Sequence, residues 1–123
     1  MEERSLVSVV DDDESVRESL PELLKLFGFA VAAFSSAEEY LASGVVSRTK
    51  CLILDVAMPG MSGPELQRAL RHHKQSPPIV FITGHRDEVV RSRALEAGAI
   101  ECLFKPFSEL ALMDAIHAAL RRR

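Results

Sequence analysis

The chain has 123 residues, 47% of them hydrophobic and 27% charged, with a formal net charge of -3 at pH 7. That length builds one domain with a real core and is too short for two, and the composition excludes a disordered chain in favour of a soluble globular one. The mild acidity argues against a domain whose whole surface grips nucleic acid.

The basic end Arg121, Arg122 and Arg123 reads as a solvated helix terminus or the start of a linker (121–123). No apolar run approaches the roughly 18 residues of a membrane span, and MEERSLVSVV lacks a signal-peptide pattern. A cytoplasmic protein with no membrane partner is expected. Cys51 and Cys102 lie inside apolar strand-like runs, where buried reduced thiols are commoner than disulfides or metal ligands.

The pattern alternates between strand and helix. Residues 5–10, SLVSVV, read as a strand, and Val16, Leu20, Leu23, Leu24 and Phe27 then recur at helical spacing up to Gly28. Pro21 falls inside that helix and is expected to bend it, because proline removes a backbone donor. AVAAF (30–34) is a second strand. A helix near 36–43 opens at Ser35 or Ser36 with Glu38 and Glu39 behind it, and KCLILD (50–55) is a third strand. MPGMSG (58–63) is turn chemistry, and Pro64 suits the first turn of a helix running to about His73. PPIVFIT (77–83) is a fourth strand, followed by a helix from about Asp87 to Ala97, the strand IECLF (100–104), and a last helix from Ser108 to about Arg121. Strands this apolar are expected to be buried on both faces, and strands separated by helices to run parallel with right-handed crossovers. The fold class is α/β, a sandwich of five strands and five helices.

The unusual polar residues cluster at the carboxyl ends of these strands, where open parallel sheets collect ligands. Asp11 and Asp12 follow the first strand, Asp55 the third, Thr83 the fourth and Lys105 the fifth. Each has a bland local reading as a cap, a turn residue or a loop lysine. Together, three carboxylates facing one lysine leave a crevice short of positive charge, which a proton or a divalent cation would supply. Magnesium fits carboxylates better than zinc, which lacks its usual Cys and His partners here. With the cation bound, Asp55 is a candidate nucleophile for a phosphoryl group, and Thr83 and Lys105 are candidates to hold its oxygens.

In order, VVDDDE, LILDVAMPGMSG, VFITGH and LFKPF resemble the receiver domains of two-component response regulators across essentially the whole chain, and GFAVAAFSSAEEYL and FITGHRD look closest to FixJ-type receivers. The resemblance implies a flavodoxin-like three-layer fold with strand order 2-1-3-4-5, one receiver domain over 1–123, and a phosphoacceptor rather than an enzyme acting on external substrates. It implies Asp55 as the phosphoacceptor and Mg2+ as cofactor. Asp12 would ligate the metal directly, the backbone carbonyl of Ala57 would supply another ligand, and Asp11 would hold the metal through water. It further implies Thr83 and Lys105 as phosphoryl-binding groups, Pro106 at a cis peptide, and a switching face formed by helix 4, strand 5 and helix 5. The implied partners are a sensor histidine kinase, an output domain or downstream protein, and a second copy on phosphorylation. DNA would be reached only through an output domain, in transcription regulation. Asp13 has no family role and reads as a helix-start residue.

Cys102 departs from the family pattern, occupying the switch position that usually carries Tyr or Phe. It is expected to be a small buried core residue, with the aromatic readout weakened or moved to Phe104 or Phe107. Two rival classes stand beside the receiver. DDDES also fits the nucleophile motif of haloacid-dehalogenase-like phosphatases, with Asp11 as nucleophile and Asp13 as acid, although Asp55 is then unexplained. The second rival is a receiver-like binding module that is never phosphorylated.

Overall fold

Each of the five helices begins on a side chain that accepts an orphan backbone N–H, and these caps set the element boundaries. The computed structural model describes residues 4–72 and 76–122. Strand β1 (Leu6–Val10) leads to α1 (Glu14–Leu26), capped by Asp13, and β2 (Ala30–Phe34) to α2 (Ala37–Ala42), capped by Ser36. Strand β3 (Thr49–Asp55) precedes α3 (Gly63–Arg71), where Ser62 and Glu65 form a capping box. Strand β4 (Ile79–Thr83) is followed by α4 (Glu88–Glu96), capped by Asp87, and β5 (Glu101–Phe104) by α5 (Glu109–Arg121), capped by Ser108.

The five strands form one parallel sheet in the order β2-β1-β3-β4-β5. Alternate residues of the central strands feed two cores. Val7, Val9, Cys51, Ile53, Val80 and Ile82 pack against α1 and α5, whereas Val10, Leu52, Leu54 and Phe81 pack against α2, α3 and α4. Three layers result, the flavodoxin-like arrangement implied by the resemblance. Among the described residues, no helix is long and apolar enough to cross a membrane.

Several expectations need correction. The two edge strands are not buried on both faces: the residues of β2 are half-buried or exposed, and Cys102 is the one buried residue of β5. Phe27 is 50% exposed, because it caps the end of α1 after the helical periodicity has stopped. Pro77 and Pro78 precede β4, since neither has an N–H to give a ladder, yet the Pro78 carbonyl accepts from the Leu52 amide at 2.9 Å. A 3-10 turn at Val46–Arg48 was not expected. Helix α3 ends at Arg71, and His73, the expected end, lies outside the described residues. As expected, helix α1 continues through Pro21, whose ring is buried.

Candidate functional site

Strand order reverses between β1 and β3, and this reversal opens the crevice in which the site sits. Adjacent strands bring Asp11 and Asp12, just past β1, beside Asp55 at the end of β3. One carboxylate oxygen of each can be chosen so that all three lie within 4.8 Å of one another. Thr83 ends β4 and Lys105 follows β5, and both line the same cavity of about 180 Å3, as do Ala57 and His85. The residues singled out at the strand ends therefore share one pocket.

Close backbone packing fixes the geometry. A Cβ on Gly63 would collide with the Asp55 carbonyl oxygen, so only glycine lets α3 start this close to the end of β3. The Lys105 amide donates to the Thr83 carbonyl at 2.8 Å, continuing the β4–β5 ladder past its end, and the Lys105–Pro106 peptide is cis.

Asp11 is fully buried, and both its carboxylate oxygens are engaged. One accepts from the Asp13 amide at 2.9 Å and the other from the Lys105 ammonium at 3.2 Å. Lys105 thus pairs with Asp11 in this structure. Asp55, 7% exposed, has its carboxyl pushed up to about 7. Burial is the largest cause and the charge of Asp11 the next; Lys105 opposes them, and hydrogen bonding and charge from Asp12 add to the rise. A cation arriving at the site would offset the burial and the Asp11 charge and so favour the ionised form of Asp55. The donor set here is all oxygen, which suits a hard divalent cation and gives zinc no nitrogen or sulfur.

The remaining assignments separate the readings of DDDES. The Asp13 carboxylate accepts from both the amide and the hydroxyl of Ser15, at 2.9 and 2.8 Å, and these bonds hold its pKa below the usual value. It is occupied as a helix cap, a poor position for the general acid of a phosphatase. The Thr83 hydroxyl accepts from the His85 amide at 3.1 Å, and Cys102 is buried at 2% exposure with its thiol pKa raised, burial being the first cause. Cys51 is likewise a free, buried thiol, pushed up to about 12.

Two supporting residues escaped the sequence reading. The Arg17 guanidinium donates to the Asp11 carbonyl at 2.9 Å, and Glu38 on α2 accepts from the Met61 amide at 3.1 Å, holding the loop that carries Ala57. Both sit in the first turn of a helix, where local pattern suggests only dipole or solvent roles.

The family model for the response regulator receiver domain matches residues 7–117, and the chain belongs to that family. Its members are response regulators of two-component systems rather than enzymes of the usual kind. The chain is 44% identical over 119 residues to Nodulation protein W of Bradyrhizobium diazoefficiens, covering 97% of this chain and 52% of that protein. It is 40% identical over 122 residues to the transcriptional regulatory protein FixJ of Azorhizobium caulinodans, covering 99% and 58%. Among solved structures, the response regulator StyR superposes with a TM-score of 0.87 at 49% identity, over 97% of this chain and 60% of that one. The chain spans a little over half the length of the curated relatives it matches.

Proposed function

We propose that Asp55 accepts a phosphoryl group from the phosphohistidine of a sensor histidine kinase, in the presence of Mg2+, and that the phosphorylated chain switches an output domain or partner. The observation that carries this reading is the convergence of Asp11, Asp12 and Asp55 within 4.8 Å in a cavity that Thr83 and Lys105 also line. Asp12, Asp55 and the Ala57 carbonyl would hold the cation directly, and Asp11 through water. Bound there, it supplies charge neutralisation to the phosphoryl oxygens.

The protein's own part is mostly positioning. An ionised Asp55 oxygen attacks phosphorus in line; the new bond is oxygen–phosphorus, the broken one is phosphorus–nitrogen, and the imidazole leaves with the electron pair. Lys105 exchanges its contact with Asp11 for a phosphoryl oxygen, and the Thr83 hydroxyl donates to another. A dianion then stands where a carboxylate stood. Both groups move toward it and bias a two-state equilibrium of the β4–α4 loop and the face formed by α4, β5 and α5. In the whole protein, that face would govern dimerisation and a DNA-binding output domain, with transcription as the output. A cytoplasmic setting fits such a role.

The test is phosphoryl uptake from acetyl phosphate, followed by phosphate-affinity gel shift with and without Mg2+. Uptake that needs Mg2+ and is lost in Asp55→Asn supports the reading. Uptake that survives Asp55→Asn and is lost in Asp11→Asn supports the phosphatase reading, and no uptake from this donor or a histidine kinase supports the binding module.

A further inference from the structure

A second feature plays no part in phosphoryl chemistry. Between α3 and α4 lies a groove of about 270 Å3 whose apolar lining includes Val56, Pro64, Phe81, Val90 and Ala94. Phe81 and Ala94 are buried in the core, while Val56, Pro64 and Val90 are partly open to solvent. The groove is also lined by the exposed Arg68 and Arg71 of α3 and Arg93 of α4, and no acidic residue lines it.

Three guanidiniums beside an apolar floor are unexpected on a chain whose net charge is -3. Among the described residues, none of the three has a carboxylate within 4 Å; the ion pairs there involve Arg91 and Lys105. Of the acids on and beside these helices, Glu65 and Glu96 lie near the arginines without pairing with them, Glu65 within the field of Arg68. Glu65 accepts from the Ser62 amide at 3.0 Å in the α3 capping box, and Glu88 and Glu101 both pair with Arg91. The three guanidiniums thus face solvent beside the groove, in no ion pair among the described residues and available to a docked carboxylate.

The chemistry of the lining narrows the occupant. The volume falls below the roughly 300–1,000 Å3 usual for small-molecule sites, and the groove is bounded by two helices, a common setting for an amphipathic helix laid in a groove. Nucleic acid would use the arginines but gains nothing from the partly open Val56, Pro64 and Val90. Guanidinium groups favour planar carboxylates, which they can grip with two parallel hydrogen bonds. We infer that the α3–α4 groove docks an acidic amphipathic segment of a partner protein, its apolar side chains against Val56, Pro64 and Val90 and its carboxylates on Arg68, Arg71 and Arg93. The unphosphorylated fold already presents this surface.

The experiment uses a fluorescein-labelled helical peptide with leucines on one face and glutamates on the other, titrated with the whole chain and read by fluorescence anisotropy. The expected result is binding that weakens with salt, is lost when Lys replaces Glu or Ser replaces Leu, and becomes about tenfold weaker in R68Q/R71Q/R93Q. These arginines are exposed, so the variant keeps the wild-type circular dichroism. As a second readout, amide NMR shifts on peptide addition should centre on Arg68, Val90 and Arg93. Equal binding of the Lys peptide, unchanged affinity in the triple variant, shifts centred on another face, or sedimentation showing a second copy of the chain in the groove would each overturn the assignment.

Discussion

Asp55 is costly to ionise in the cation-free fold because burial strips its water and Asp11 adds like charge nearby. Its carboxyl, ordinarily near 3.8, is raised to about 7 in the folded chain. The folded state therefore binds this proton more tightly than the unfolded state. In Mg2+-free buffer the group is neutral in its effect at pH values below both of these, erodes stability as pH climbs from about 4 to about 7, and exerts a constant penalty above that. Asp55→Asn removes the penalty. Allowing for solvent screening at the mouth, urea melts at pH 8 should show the variant more stable by about 1–3 kcal/mol, with the gap closing toward pH 4. A constant gap across that range would contradict the assignment. Near Asp55, Ala57 is small and exposed, leaving the mouth of the cavity open. Self-phosphorylation from acetyl phosphate should be measurable and should slow in Ala57→Tyr, checked by the rate of gel-shifted product.

At the scale of elements, the link between α2, β1 and β3 is a buried hydroxyl chain. Tyr40 donates to the Thr49 hydroxyl at 2.9 Å, Thr49 donates to the Val45 carbonyl at 2.8 Å, and the Ser8 hydroxyl stands 2.8 Å from that of Thr49. Thr49→Val keeps the shape and strands two buried hydroxyls, so it should cost about 2 kcal/mol, read as a lower urea midpoint. No local pattern announces this chain, since its members are up to 41 residues apart and each is unremarked alone. The alternation of elements and the helix starts at Asp13, Asp87 and Ser108 were legible, and that at Ser36 to within one residue, because periodicity and capping are written locally, whereas the Ser62 cap was hidden inside the turn read over 58–63. The unequal burial of β2 and β5 was not drawn from the strands' own apolar residues, although the implied order 2-1-3-4-5 already places both at the edges. Cys102 follows the same division. Its burial could be read from its apolar neighbours, but not that the Arg86 guanidinium lies over the Phe104 ring, 5.4 Å from the centroid, on the strand end two residues away. Phe107 packs instead with the α1–α5 core. If the proposed switch moves its readout to Phe104, restoring a ring with Cys102→Phe should change phosphorylation-dependent partner binding, and unaltered binding would refute that replacement.

For the whole molecule, the order β2-β1-β3-β4-β5 turns scattered residues into a site, because it makes β1 and β3 neighbours and aligns their carboxyl ends. The polar strand ends could be read from sequence, and their number made convergence the natural expectation. Their division of labour could not, since Lys105 pairing with Asp11 depends on two segments 94 residues apart. A cation that binds the folded site and not the unfolded chain raises stability by mass action, about 2.7 kcal/mol at a hundredfold excess over Kd. Mg2+ should accordingly raise the melting temperature, a gain lost on chelation and in Asp12→Asn. The central claim is that Asp55, among the three clustered carboxylates, carries the phosphoryl group. It is tested most directly by phosphorylating the chain, reducing the acyl phosphate with borohydride and locating the reduced residue by peptide mass spectrometry. The account predicts modification at Asp55 alone; modification at Asp11, or none at Asp55 under conditions of full uptake, would contradict it.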